Sequence, residues 1–199
     1  MDNNRKKIVL ITLFVVVLLY IYNSTKSKES LISKSKIFKK LTSQKFTEND
    51  IVPALKKAEK IYGTDAAALL ERVYRWETAH FKSGQYRNTG SAGMEVGSTT
   101  GTDRKKIPTK KYPYGWTTPK KLWENNPKYK PVGTYTTPEN QTGIVKTFIK
   151  FPSTEAAVLT LAEVLKKRGW NAGTWYSTNK VLQDKYNGHI NSVKNRIIV

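Results

Sequence analysis

The chain has 199 residues, enough for one domain of ordinary size with a real core and an appendage. It contains no cysteine, which excludes disulfides and thiolate metal sites, while five Trp, eleven Tyr and six Phe make it too aromatic for a disordered chain. Its formal charge of +20, from 35 basic against 15 acidic residues, calls for an anionic surface such as a membrane face, nucleic acid or an acidic wall polymer. No basic helix or stacked-aromatic signature marks a nucleic-acid module, so no specific nucleic acid is expected.

Residues 8–22, IVLITLFVVVLLYIY, follow Arg5-Lys6-Lys7 as an uninterrupted apolar run. As a helix the run reaches about 22 Å at ~1.5 Å per residue, short of a ~30 Å hydrocarbon core but extendable by snorkelling Lys and interfacial Tyr20 and Tyr22. No small-x-small cleavage site follows, which favours one uncleaved N-terminal transmembrane helix over a signal peptide. Lys26, Lys28, Lys34, Lys36, Lys39 and Lys40 follow it, and by the positive-inside tendency they hold the rest of the chain on the cytoplasmic side. Residues 23–46 read as a Ser- and Lys-rich tether, so 1–46 is anchor and tether and 47–199 is the globular domain.

Asp50 is expected to open a helix that carries Pro53 in its first turn, presents Leu55, Ala58, Ile61 and Tyr62 on one face, and closes at Gly63. A second helix, capped by Thr64 and Asp65, places Leu69, Leu70, Val73, Trp76, Glu77 and His80 on one side and ends near residues 82–84. Glu77 thus points the way the core points. A carboxyl in that position is poorly solvated, which raises its pKa and suits it to general-acid work near neutral pH. Thirteen positions later comes Gly90-Ser91-Ala92-Gly93-Met94-Glu95, a small-residue turn that lets backbone approach the acid.

Glu77-Thr78 followed by GSAGME resembles the Glu-Ser dipeptide and G-A-x-G-L-M-Q turn of the lysozyme-like superfamily, as in lytic transglycosylases, and is similar to glucosaminidase domains of the same fold. The resemblance covers roughly thirty of the 199 residues. It departs from the transglycosylase pattern at Thr78 for Ser, in lacking Leu before Met94, and at Glu95 for Gln. It implies a catalytic acid at Glu77 and a cleft wall at Gly90, Gly93 and Met94. It also implies peptidoglycan glycan strands as substrate and a domain facing the cell wall or carried on a virion membrane, as in phage lysis, against the orientation read from the lysines.

Residues 96–140 are dense in Thr, Gly, Pro and Lys with interleaved aromatics, a texture of loops and short strands. By the resemblance this lobe forms the other wall of the sugar cleft, with Tyr114 and Trp116 first in line to stack on pyranose rings. Residues 143–151 read as a strand. Pro152-Ser153-Thr154 opens a helix with Val158, Leu161, Ala162 and Leu165 on one side, ended by Gly169. A last helix from Asn179 carries Leu182, Tyr186, Ile190, Val193 and Ile197 in register. The 168–188 segment resembles the C-terminal part of the same domains, where an aromatic–Asn pair lines the cleft. Two pairs compete for that role, Trp170-Asn171 and Tyr186-Asn187. The fold class expected is α+β, mainly α: a lysozyme-like domain with a loop and β lobe.

Glycoside hydrolysis needs a protonated carboxyl and a means of managing oxocarbenium charge. Glu77 fits the first role. Glu95 is the nearest acidic residue for the second, with Asp103 and Glu139 in the variable lobe. If none reaches, the substrate's own hydroxyl can attack, as in a transglycosylase. His80 is a candidate to tune Glu77. Two His without Cys show no zinc spacing, and no P-loop, dinucleotide or nucleophile-elbow motif is present, so neither cofactor nor metal is expected. The expected activity is cleavage of β-1,4 bonds of the glycan strand, of lytic transglycosylase or muramidase type ahead of N-acetylglucosaminidase. The competing readings are a membrane-anchored basic protein that binds wall polymer or nucleic acid without catalysis, and an envelope structural protein that keeps the fold.

Overall fold

The computed structural model describes residues 45–96, 120–138 and 144–199. The apolar run 8–22, most of the tether, and Asp103, Tyr114, Trp116 and Glu139 lie outside the described residues. Among the described residues no helix is long and apolar enough to cross a membrane.

Helix α1, Glu48–Tyr62, starts two residues before Asp50. Asp50 is instead the capping partner, its carboxylate accepting the Thr47 N–H at 2.7 Å and hydroxyl at 2.8 Å. Pro53 therefore falls in the second turn. Ile51, Ala54, Leu55 and Ala58 are buried, whereas Ile61, expected on that face, is exposed. Gly63, at φ +90°, turns the chain into α2, Thr64–Glu77.

Helix α2 ends at Glu77, five residues short of the expected stop. Three successive residues, Ala79, His80 and Phe81, then hold φ of +48°, +55° and +68°. L-residues disfavour this left-handed conformation by roughly 1–2 kcal/mol each, so other bonds must hold it. Thr78 supplies them: its hydroxyl accepts the Phe81 N–H at 2.8 Å, and its carbonyl accepts the Lys82 and Ser83 N–H groups at 2.9 Å. Phe81 is buried by this turn, which satisfies the apolar pattern without continuing the helix. His80 leaves the helical face and is exposed, and so is Trp76. The buried stripe of α2 is Ala66, Ala67, Leu70, Val73 and Tyr74.

Ser83 caps the short α3, Gly84–Thr89, accepting the Tyr86 N–H at 3.1 Å. Helix α4, Lys120–Asn125, and a 3₁₀ turn, Pro127–Tyr129, lead to an antiparallel pair, β1 (Gly133–Pro138) and β2 (Val145–Lys150), in which Thr134 faces Ile149 and Tyr135 faces Phe148. Helix α5, Thr154–Lys167, is the core element. Its Ser153 cap accepts the Ala156 N–H, and Ala156 through Ala162 are all buried along with Val164 and Leu165. Each such Leu or Val contributes roughly 1.5–3 kcal/mol by leaving water. Helices α1 and α2 pack on α5. Polar ties flank the contact: Lys57 Nζ to Glu155 at 2.7 Å, Tyr62 Oη to Glu163 at 2.5 Å, and Trp123 Nε1 to Thr160 at 3.1 Å.

Helix α6, Ala172–Tyr176, was not expected; α7, Lys180–Ser192, was. Its register holds only at Tyr186 and Ile190, because Leu182 is exposed and Val193 and Ile197 lie past its end. The fold class is α+β, mainly α.

Candidate active site

Glu77 is the last residue of α2, and the left-handed turn after it takes the chain away from its carboxyl. Its Oε1 accepts the Tyr186 hydroxyl at 2.5 Å, from α7. Its Oε2 faces Gly93, where an added Cβ would lie 3.5 Å away. Gly93 has φ +74°, so the turn needs glycine for its backbone as well as for its close approach.

Sheet pairing places that turn. Met94 C=O accepts the Ile149 N–H at 2.8 Å, the Val96 N–H donates to Thr147 C=O at 2.7 Å, and Glu95 bridges to Phe148, so residues 94–96 run as an extra edge along β2. Gly90, at φ +72°, ends α3 against the Phe46 ring, 3.2 Å from where a Cβ would sit. Met94 was expected in the cleft wall, but its side chain is fully buried; it anchors the turn from beneath and cannot touch a substrate. Glu95 is ion-paired with Lys146 of β2 at 3.0 Å.

Burial holds the Glu77 carboxyl above the ordinary glutamate value. The Tyr186 hydrogen bond and the charge of Lys146 pull the other way, and the negative charge of Glu95 adds to the rise. Tyr186 is itself shifted upward by burial and then by Glu77, so it remains a donor. Its ring is clamped by Tyr176, stacked at 4.3 Å and 6°, and by the edge of Trp175 at 6.2 Å. Tyr186 is buried while Tyr176 is 55% exposed, which leaves Tyr176 with one face on Tyr186 and much of the rest in solvent.

The chain matches no family model, no curated protein and no solved structure.

Of the two aromatic–Asn pairs, Tyr186-Asn187 brings its aromatic to Glu77. Asn171, expected as a substrate ligand, instead caps α6, its Oδ1 accepting Thr174 N–H at 3.2 Å and Asn187 Nδ2 at 3.1 Å. Asn187 returns the contact by accepting the Gly173 N–H at 2.7 Å. These bonds lock α6 onto α7 at Gly173, where a Cβ would meet the Gln183 carbonyl at 2.5 Å, and so fix Tyr176 over Tyr186. Among the described residues no three His, Asp or Glu side chains gather as a metal site.

Two contributors escaped the sequence. Tyr176 carried one signal, an adjacent aromatic pair with Trp175 ten residues before Tyr186. Lys146 carried none, being one of many lysines whose place is set by strand register.

Proposed function

We propose that the chain cleaves β-1,4 glycosidic bonds of the peptidoglycan glycan strand with Glu77 as the general acid. The observation that carries this reading is a desolvated carboxyl with one oxygen held by Tyr186 and the other against the glycine turn that walls it. Protonated Glu77 gives its proton to the glycosidic oxygen as the C–O bond breaks. The carboxylate left behind keeps the Tyr186 hydrogen bond, which stabilises its charge. The same carboxylate then takes the proton from the incoming nucleophile, either water or the sugar's own hydroxyl.

Glu95 is neutralised by Lys146, which favours a site with one working acid over a pair of free carboxylates. One working acid supports the lytic transglycosylase type, in which the sugar's own hydroxyl is the nucleophile, over hydrolases that use two carboxylates. The solvent-facing side of Tyr176 suits the apolar face of a pyranose. In this reading the apolar run 8–22 tethers the domain to a membrane and the +20 charge draws it to the polyanionic wall.

The test is a digest of purified peptidoglycan read by mass spectrometry of the soluble fragments. Anhydro-muramyl ends identify a lytic transglycosylase, reducing muramic ends a muramidase and reducing glucosamine ends a glucosaminidase. Glu77→Gln is expected to fold and to lower fragment release by about 10²–10⁴-fold, the usual contribution of a positioned acid. Undiminished release by that variant contradicts the mechanism, and no release by the folded wild type leaves a wall-binding protein.

A further inference from the structure

The Trp170-Asn171 pair, which the acid site does not use, lines a second cleft of about 600 Å³ over the earlier turns of α2. Ala66, Leu69 and Ile190 give it an apolar floor, and the Trp170 ring stands at its side. Trp170 holds a left-handed φ of +57°, a conformation a large L-residue rarely adopts. A backbone bond to Leu165 C=O at 2.8 Å and an edge contact with Tyr62 at 5.6 Å keep it there. Asn171 commits its carbonyl oxygen to the α6 cap, which leaves its amide NH₂ to offer.

Arg72 lines the same cleft, and its Nε is buried with no hydrogen-bond partner among the described residues. A buried cationic donor without an acceptor is costly, so the Arg72 side chain brings to this cleft a positive charge that no partner among the described residues offsets. Guanidinium geometry matches a carboxylate. Asp65 lines the cleft too, seven residues earlier on α2 and therefore about 10 Å away along the helix axis at ~1.5 Å per residue. The negative end disfavours polyanions and suits an ammonium. An extended tripeptide, at roughly 3.3 Å per residue, spans the same ~10 Å.

We propose that this cleft binds a short zwitterionic peptide, its carboxylate on Arg72 and its ammonium toward Asp65. The inference does not depend on the glycosidase reading, since none of these side chains contacts Glu77 and the readout is binding.

The experiment is isothermal titration of the full-length chain with Ala-Ala-Ala, with its C-terminal amide and with its N-acetyl form. The free peptide is expected to bind saturably, amidation to weaken it about tenfold through loss of a charge-assisted pair, and acetylation to weaken it less. Arg72→Gln, checked for folding by circular dichroism, is expected to weaken the free peptide about tenfold and to leave the amide unchanged. The amide comparison uses the wild-type chain and holds even if that variant misfolds. Equal binding of acid and amide, no binding of any form, or full affinity in folded Arg72→Gln overturns the proposal.

Discussion

Glu71 and Glu77 lie six residues apart on one helix, the first fully buried and the second half-buried, and their acidities move in opposite directions. Glu71 is fully buried, yet its carboxyl is held below the ordinary glutamate value. Burial alone pushes it up, but the N–H groups of Ile198, Arg196 and Ile197 and the Arg75 guanidinium overcome that push, at 2.7 to 3.1 Å. Among the described residues Glu77 has one donor of this kind, the Tyr186 hydroxyl at 2.5 Å, and there burial wins. The number of donors, more than depth, decides whether a buried carboxyl stays charged. One carboxylate straps the C-terminal segment to the domain, and the other is left able to hold a proton.

The largest effect expected from breaking this contrast is on stability. Glu71→Ala leaves the Arg75 guanidinium buried without its partner and frees three backbone N–H groups, so a loss of about 3–5 kcal/mol is expected from urea unfolding. A loss under about 1 kcal/mol contradicts the strap. The pH dependence has opposite signs at the two sites. The depressed Glu71 contributes stability that is present above its unfolded pKa and is lost as pH falls through its folded pKa. The raised Glu77 behaves in reverse: its contribution is present below the unfolded pKa and is lost as pH rises through the folded one. Glu77→Gln, which cannot take up a charge, is therefore expected to remove this part of the pH dependence from urea unfolding while leaving the acid-side loss from Glu71 in place.

A smaller effect is expected at Tyr186→Phe, which removes the one donor that favours the charged form. The Glu77 pKa rises further, the alkaline limb of the rate profile moves to higher pH, and the maximal rate falls about tenfold. An unmoved limb excludes the hydrogen bond from the mechanism. Gly93→Ala forces a side chain into φ +74° beside Oε2, with about 1 kcal/mol lost in thermal unfolding and a lower rate. The smallest change is expected for Tyr176→Ala, a severalfold rise in KM with kcat nearly unchanged, worth about 1 kcal/mol of stacking.

The helices of the core were legible because periodicity reports burial directly: Val158, Leu161, Ala162 and Leu165 are all buried as spaced. That Glu77 meets the glycine turn was legible from the small-residue run that follows it, which lets backbone approach its carboxyl. The end of α2 was not, since Phe81 keeps the apolar spacing while sitting in a left-handed turn that Thr78 closes. Nor was the role of Glu71, whose donors lie about 125 residues away in backbone groups that any sequence supplies. Asn171 and Met94 show the limit from the other side. Their residue types fit a cleft, but the caps and core contacts they make are invisible without the α6 turn and the β2 pairing.

The most direct measurement is a carbon-13 NMR titration of the side-chain carboxyls, with Glu77 and Glu71 assigned by their Gln variants. Glu77 is predicted to titrate above the ordinary glutamate value, and Glu71 below it, in the same sample. A Glu77 that titrates with the exposed glutamates, or below them, contradicts the claim that this helix holds a proton ready at its end.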